Sequence, residues 1–151
     1  MLGKNLRKLP KIELHLHLDC CLSFDVVKKI NPKIDIQAYN KKFKAPSTCS
    51  SVKEYIKCAE YAVDLMQDEK SISLIVEDLF EQLKAENIIY VEIRFAPLLH
   101  CRGELSSKEV VQIVDGICKK CSEKYGIHYA LILCTLRHFS KNQSMETVQL
   151  V

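Results

Sequence analysis

Two histidines, His15 and His17, stand two positions apart in the segment KIELHLHLDCC at residues 11–21. In an extended strand, the residues at i and i+2 project from the same face. Their imidazole nitrogens can then converge on one metal ion at the distance of about 2.0–2.1 Å that zinc requires. Asp19 continues the same spacing and adds a carboxylate. The spacing also fits two hydrogen-bonded histidines of a core or a surface, and this alternative stays open.

The segment around these histidines alternates between apolar and ionisable residues, which predicts a β-strand over residues 12–19. Its apolar face consists of Ile12, Leu14, Leu16 and Leu18, and its ionisable face consists of Glu13, His15, His17 and Asp19. In α/β proteins, ligands bind at the carboxyl ends of the strands. Asp19 is the residue nearest to that end, so we expect a polar site there.

Hydrophobic periodicity predicts further strands and helices along the chain. The predicted strands are residues 87–97 and 127–136, and the predicted helices are residues 23–30, 51–66, 68–83, 106–126 and one that begins at Ser144. Residues 33–50 are interpreted as an irregular connection. The third strand is apolar on both faces, which is typical of a buried parallel strand. Strands that alternate with helices indicate an α/β fold with a parallel sheet.

Length and composition predict one globular domain over residues 1–151. The chain is 48% hydrophobic and 27% charged, with a formal net charge of only +3. Lysine and arginine are spread along the chain, so we expect no nucleic-acid partner. No apolar stretch approaches the roughly 18 residues of a membrane span, so we expect no membrane partner. No signal peptide is recognisable, and we therefore expect a cytoplasmic protein.

Eight cysteines are present, and in a cytoplasmic protein they remain free thiols. Cys118 and Cys121 form a CxxC pair inside a predicted helix. A second ligand pair at zinc spacing is missing, so we expect these thiols to pack as small hydrophobic groups. A redox or zinc role for the pair is the alternative. The chain contains no GxGxxG, GxxxxGK[ST] or GxSxG motif, which argues against a nucleotide-phosphate loop and a serine-hydrolase elbow.

Three segments resemble the adenosine deaminase family. LPKIELHLHLDCCLS at residues 9–23 is similar to the family's first-strand signature, which ends in H-x-H-x-D-G. YVEIRFAPLLH at residues 90–100 and LILCTLRHF at residues 131–139 resemble its second-strand and third-strand segments. The three motifs occur in the family's order, and the resemblance extends over essentially the whole chain.

The resemblance implies a zinc-dependent purine deaminase, of which this chain is the N-terminal part of a (β/α)₈ TIM-type barrel. About three parallel strands with intervening helices are expected. His15 and His17 match the family's first two metal ligands. His17 and Asp19 match residues that contact the nucleoside, with the aspartate at the ribose 5′-hydroxyl. The implied reaction is hydrolytic deamination of adenosine, or of a related purine, to inosine and ammonia in purine salvage.

Two positions beside the motif carry their own expectations. The family has a glycine after the aspartate, whereas Cys20 and Cys21 follow Asp19 here. A cysteine brings a Cβ and a soft sulfur to the metal face, where it can distort the loop or offer a stray ligand. For Arg94, a structural ion pair with Glu92 is favoured over a substrate contact.

The resemblance covers well under half of a family enzyme, because a complete barrel needs roughly 250 residues. The family's third metal histidine, its proton-transfer glutamate and its final Asp-Asp pair would lie beyond Val151. We therefore expect an open sheet edge, possible self-association, and no activity from the isolated chain. Two alternatives remain. One is another HxH metallohydrolase such as a PHP-type phosphoesterase, and the other is a non-catalytic remnant or interaction module.

Overall fold

The computed structural model describes residues 8–49 and 51–151, and it contains one parallel sheet of three strands in the order β1-β2-β3. The strands are β1 (Lys11–His17), β2 (Ile88–Phe95) and β3 (His128–Leu133). The predicted parallel sheet is thus confirmed. Positions 1–7, which begin the segment searched for a signal peptide, and position 50, at the end of the predicted connection, lie outside the described residues.

Six α-helices accompany the strands in the described part of the chain. They are α1 (Phe24–Ile30), α2 (Ile36–Lys42), α3 (Val52–Leu65), α4 (Glu69–Ala85), α5 (Ser107–Tyr125) and α6 (Lys141–Gln149). Ser23 and Ser51 cap α1 and α3 as the sequence predicts, because each side chain accepts a hydrogen bond from a first-turn amide. Gly126 ends α5 at a φ of 67°, a conformation that glycine adopts without strain. None of the helices in the described part of the chain is long and apolar enough to cross a membrane.

Outside the first strand, three predictions of secondary structure are wrong. The connection at residues 33–50 contains α2, whose first turn is capped by the Asp35 carboxylate accepting from the Ala38 amide. An N-cap aspartate followed by apolar residues at helical spacing is the signal that could have found this helix. The last helix begins at Lys141, because Ser140 rather than Ser144 caps it. The third strand ends at Leu133 instead of position 136.

The hydrophobic core lies between one face of the sheet and the helices α4 and α5. Buried and partly exposed residues alternate along β2 from Tyr90 onward, and the buried ones are Val91, Ile93 and Phe95. Cys118 and Cys121 of α5 are also buried, which confirms that this pair packs as hydrophobic groups. The opposite face of β2 carries Tyr90, Glu92 and Arg94, and it stays more open to solvent. That open face is where polar chemistry can occur.

The outer strands are less buried than the sequence predicts. Ile12 and Leu14, expected on a buried apolar face, are 58% and 54% exposed. β3 has no fully buried residue, although its composition predicts burial on both faces. Within the described residues, each of these strands pairs with β2 alone. Each therefore has one open edge, where no further strand covers its side chains. The composition of a strand indicates which residues it could bury. Whether they are buried depends on the strands and helices that pack against it.

The junction between α3 and α4 is tied to the loop after β2 by the Gln67 amide. Its Nε2 donates to the carbonyl of Leu99 at 3.0 Å, and its Oε1 accepts from the amide of Arg102 at 3.0 Å. Gly103 follows immediately, and a Cβ at this position would lie 2.6 Å from the backbone oxygen of Gln67. Only glycine fits this approach without displacing the backbone.

We expect Gly103→Ala to lower the free energy of unfolding by about 1–3 kcal/mol, the typical cost of forcing an extra carbon into filled space. Gly116→Ala is the matched control, because nothing lies within 4 Å of its Cβ position in the middle of α5. Helix propensity predicts that this control gains about 0.5–1 kcal/mol. Urea unfolding of both variants measures the difference, and a Gly103 variant as stable as the parent would contradict the close approach.

Candidate functional site

A β-bulge shapes β1 at the two histidines. Glu13 pairs with Val91, and Leu16 pairs with Ile93. β1 therefore advances by three residues over a distance in which β2 advances by two. The extra residue is accommodated by His15, whose φ of 57° is left-handed. Histidine enters this region more readily than most residues other than glycine, although the conformation is still strained. Bulges re-aim side chains, and here the regular alternation assumed from the sequence breaks at the first of the two predicted ligands.

The two histidines nevertheless lie side by side. Their ring centroids are 5.4 Å apart, with the ring planes tilted by 45°. His15 is exposed, whereas His17 is half-buried and pairs in register with Arg94 of β2. The pairing places His17 on the open face of the sheet, as the prediction of a polar site at the end of β1 requires.

Asp19 does not belong to β1, contrary to the predicted strand over residues 12–19. The strand ends at His17, and residues Leu18–Cys20 form one turn of 3₁₀ helix. The turn folds the aspartate back toward the histidine, so that Asp19 Oδ1 lies 3.8 Å from His17 Nδ1. The predicted proximity of His17 and Asp19 is therefore present, but the turn and not the strand produces it.

Hydrogen bonds from the Cys21 thiol and from helix α4 hold this turn in place. The Cys21 thiol donates to the carbonyl of His17 at 2.9 Å. Gln82 of α4 donates to the carbonyl of Cys21 at 2.8 Å, and the Asp78 carboxylate of the same helix accepts from the Ser23 hydroxyl at 2.7 Å. Asp78 was missed in the sequence, because its partner is 55 positions away. These contacts fix the turn to the rigid helix that covers the sheet.

Among the described residues, one group has the composition of a metal site: His17, Asp19 and Cys20. One donor atom from each lies within 4.8 Å of the other two. The Cys20 sulfur is 3.8 Å from Asp19 Oδ1, the same oxygen that approaches His17. Nitrogen, oxygen and sulfur donors are all ligands that zinc accepts. His15, the other predicted metal ligand, is not in this group, although its ring lies beside that of His17.

Arg94 contacts His17 and forms no ion pair with Glu92, so the predicted pair is wrong. Its Nη1 lies 3.1 Å from His17 Nδ1 and 3.2 Å from Nε2. A guanidinium can only donate, so the imidazole must accept through one unprotonated nitrogen. The cross-strand register places the two side chains opposite each other. The sequence signal was available, because Arg94 follows Tyr90 and Glu92 at the spacing of one strand face.

The charges around the site keep His17 neutral and Cys20 protonated. Burial, with the Arg94 cation as the next cause, lowers the pKa of His17, and the Asp19 carboxylate opposes this only in part. A neutral imidazole is the form that binds metal. Crowding by surrounding protein atoms, followed by the negative charge of Asp19, raises the pKa of Cys20 to about 11, although the residue still reaches solvent. The Cys20 thiol is therefore protonated at neutral pH, unless a bound cation displaces the proton.

Two further histidines, His100 and His128, lie outside this group of donors. His100 is buried in the core, where its Nδ1 lies 3.1 Å from the carbonyl oxygen of Met66. Burial lowers its pKa, so it is a neutral packing residue. His128 is exposed at the start of β3, at the opposite end of the sheet from the site. Neither contributes to the group of donors.

The chain belongs to the adenosine deaminase family, since the family model described as Adenosine deaminase matches residues 10–151. An adenosine deaminase of Clostridium perfringens is 37% identical over 152 residues, which cover 96% of this chain and 46% of that relative. One of Clostridium acetobutylicum is 35% identical over 149 residues, covering 94% and 45%. The chain thus spans about half the length of the curated relatives it matches.

Several solved structures share the fold of this chain. An adenine deaminase from Arthrobacter aurescens matches with a TM-score of 0.78 and 20% identity, over 93% of this chain and 44% of that one. An N6-mAMP deaminase from Arabidopsis matches with a TM-score of 0.77 and 23% identity, over 97% and 47%. An amidohydrolase from Burkholderia ambifaria with bound Zn gives 0.79 and 16%, over 96% and 41%. These likenesses confirm that the three strands are part of a TIM-type barrel.

We expect Arg94→Gln to raise the pKa of His17, because the substitution removes a cation that disfavours the imidazolium while leaving burial unchanged. An NMR titration of the imidazole protons measures this. Arg137→Gln is the control, since Arg137 is an exposed arginine beyond the end of β3. An unchanged His17 titration in the Arg94 variant would show that the guanidinium does not lie at the ring.

Proposed function

We propose that the complete protein is a zinc-dependent deaminase that hydrolyses adenosine, or a closely related aminopurine, to inosine and ammonia in purine salvage. The observation that supports this most directly is a polar site at the carboxyl end of β1 in a chain of the adenosine deaminase family. The Clostridium relatives are named as adenosine deaminases, and two structural neighbours are named for adenine and N6-mAMP. The reactions in these names have one step in common, which is the loss of an exocyclic nitrogen from a purine.

The residues present fit a zinc ion. His15 and His17 are imidazoles on one strand with neighbouring rings, and His17 is held in the neutral form. Asp19 and Cys20 add an oxygen and a sulfur donor within reach of His17. We propose His15 and His17 as metal ligands, as the family resemblance implies. Zinc bound there would supply an activated water at neutral pH.

The chain's own residues have separate tasks in this proposal. His17 holds the metal side of the site and also contacts the nucleoside. Asp19 accepts a hydrogen bond from a substrate hydroxyl, for which its half-buried carboxylate is suited. Arg94 lies beside the His17 ring, and its positive charge helps to keep the imidazole neutral, which is the form that binds metal. The bulge and the 3₁₀ turn bring these groups together on rigid backbone.

The alternatives read from the sequence fare differently. A PHP-type phosphoesterase is disfavoured, because the family model of the adenosine deaminases covers nearly all of the chain. A non-catalytic interaction module is an outcome of the experiments below. The cytoplasmic location, the nucleoside partner and self-association through the open sheet edges stay predictions.

His17→Ala should abolish adenosine deamination by a full-length protein in which this chain is continued by the matching C-terminal part of the Clostridium perfringens relative. The substitution removes a metal ligand and a substrate contact together, so both the water activated by zinc and the contact to the nucleoside are lost. The measurement is the release of ammonia from adenosine.

The control is His128→Ala, which removes an exposed histidine at the other end of the sheet. Turnover by the His128 variant should match that of the parent. Near-normal turnover by the His17 variant would show that the site at the end of β1 is not the active site, and inactivity of the parent would favour the interaction module.

The 151-residue chain alone should show no measurable deaminase activity. The described donor group contains no glutamate that could protonate the purine, and general acid–base help contributes roughly 10²–10⁴-fold. The site also lies on the open face of the sheet, so water is not excluded from it. Zinc-loaded chain is assayed with adenosine beside a His15→Ala/His17→Ala variant. Histidine-dependent turnover would mean that the isolated or self-associated chain forms a complete site.

A further inference from the structure

We propose that Cys20 is a metal ligand of this chain, binding a zinc ion as a thiolate together with His17 and Asp19. Nothing in the family signature leads to this, because the signature has a glycine where this chain has Cys20. The inference rests on the proposed function only for the choice of zinc as the ion. Its test therefore measures metal binding and not turnover.

The distances between the donors fit a shared ion. Tetrahedral zinc with ordinary bond lengths separates a nitrogen from an oxygen ligand by about 3.4 Å, and a sulfur from an oxygen ligand by about 3.6 Å. In this chain the His17 Nδ1 to Asp19 Oδ1 distance and the Cys20 Sγ to Asp19 Oδ1 distance are both 3.8 Å. Small side-chain rotations remove the remaining difference, because all three donors already lie within 4.8 Å of one another.

The two neighbouring cysteines have different roles. The Cys21 thiol donates to the carbonyl of His17 at 2.9 Å, so it stabilises the backbone of the turn. The Cys20 thiol is solvent-exposed, and it contacts the Asp19 carboxylate at the long distance of 3.8 Å. This weak contact is easily exchanged for a bond to a cation. Cys20 is therefore the thiol that is free to bind a metal ion.

The charges also favour a cation. Asp19 and a Cys20 thiolate would bring two negative charges beside neutral His17. One divalent ion would balance them once the Arg94 guanidinium, which lies 3.1 Å from His17 Nδ1, turns away from the ring. Binding breaks the S–H bond of Cys20, forms a bond from sulfur to the metal, and releases one proton to the buffer. This donor set and the His15 and His17 pair proposed above share His17, so they are alternative sites for a single zinc ion. With His17, Asp19 and Cys20 bound, one position of a tetrahedral ion stays open. Since Asp19 is also the proposed substrate contact, Cys20 would draw the carboxylate from the nucleoside toward the metal.

Cobalt(II) bound to the 151-residue chain reports thiolate ligation by a near-ultraviolet charge-transfer band. We expect the band in the parent chain, in Cys21→Ser and in Cys101→Ser, and its loss in Cys20→Ser. Zinc affinity, measured by competition with a chromophoric chelator, should fall at least about 10-fold in Cys20→Ser. Cys101→Ser is a matched control, because its thiol donates to the carbonyl of Pro97 away from the donor group.

Alkylation of the unmutated chain gives a second test that needs no variant. Cys20 and Cys49 are both exposed thiols, so both react with iodoacetamide in the metal-free chain. Zinc should slow alkylation of Cys20 at least about 10-fold and leave Cys49 unchanged, as followed by mass spectrometry of the peptides.

Absence of the band, its persistence in Cys20→Ser, or equal alkylation of the two thiols in zinc would each overturn the proposal. The outcome is separable from the proposed function. A full-length protein that deaminates adenosine while its cobalt form lacks the thiolate band keeps the function and refutes Cys20 as a ligand. A Cys20-dependent band in a full-length protein without turnover does the reverse.

Discussion

The extra residue in β1 is the constraint on which the site depends. One residue more than β2 between Glu13 and Leu16 shifts the pairing, and the shift places His17 opposite Arg94. Without the bulge, the same register would carry a different residue to this position and send the apolar side chains to the opposite face. His15 accommodates the extra residue by adopting a left-handed backbone, a strained conformation of the kind that persists where surrounding contacts over-determine it.

The contacts that hold the site in its strained conformation come from helix α4 and from the turn after β1. Asp78 and Gln82 hold the backbone around Cys21 and Ser23, while the buried face of the same helix packs in the core. The turn that carries Asp19 and Cys20 is thereby tied to the most buried part of the fold. Donors held in this way lose little further freedom on binding an ion.

Asp19 takes part in both proposals, as the substrate contact and as a metal ligand. As the residue matching the family's substrate contact, it should face the nucleoside. Its Oδ1 is also the shared neighbour of His17 and Cys20, which makes it the centre of the donor group. A glycine at position 20 would leave the carboxylate a single polar neighbour on this side, whereas a thiol gives it a second. Under the two proposals above, the cysteine in place of the family's glycine would change the balance between binding a metal and binding a substrate at this one carboxylate.

The sequence by itself determined the elements and the class of site. Period-2 and period-3.6 patterns located the three strands and most helices, and Ser23, Ser51 and Gly126 marked their ends, because these signals are local to a few residues. The motif around His15, His17 and Asp19 indicated the family. What the sequence could not give were contacts between distant segments: the bulge that aims the histidines, the Arg94–His17 contact, and the Asp78 anchor.

Only the tertiary structure decided which of the chemical residues lie together. Strict alternation predicted Asp19 as a strand residue, yet a 3₁₀ turn brings it to His17, since the pairing with β2 ends there. The same turn adds Cys20 to the group and leaves His15 outside it. Burial of Ile12 and Leu14 likewise depended on neighbours and not on composition. Local patterns specify backbone geometry, whereas register and burial are properties of pairs of segments that only the folded chain defines.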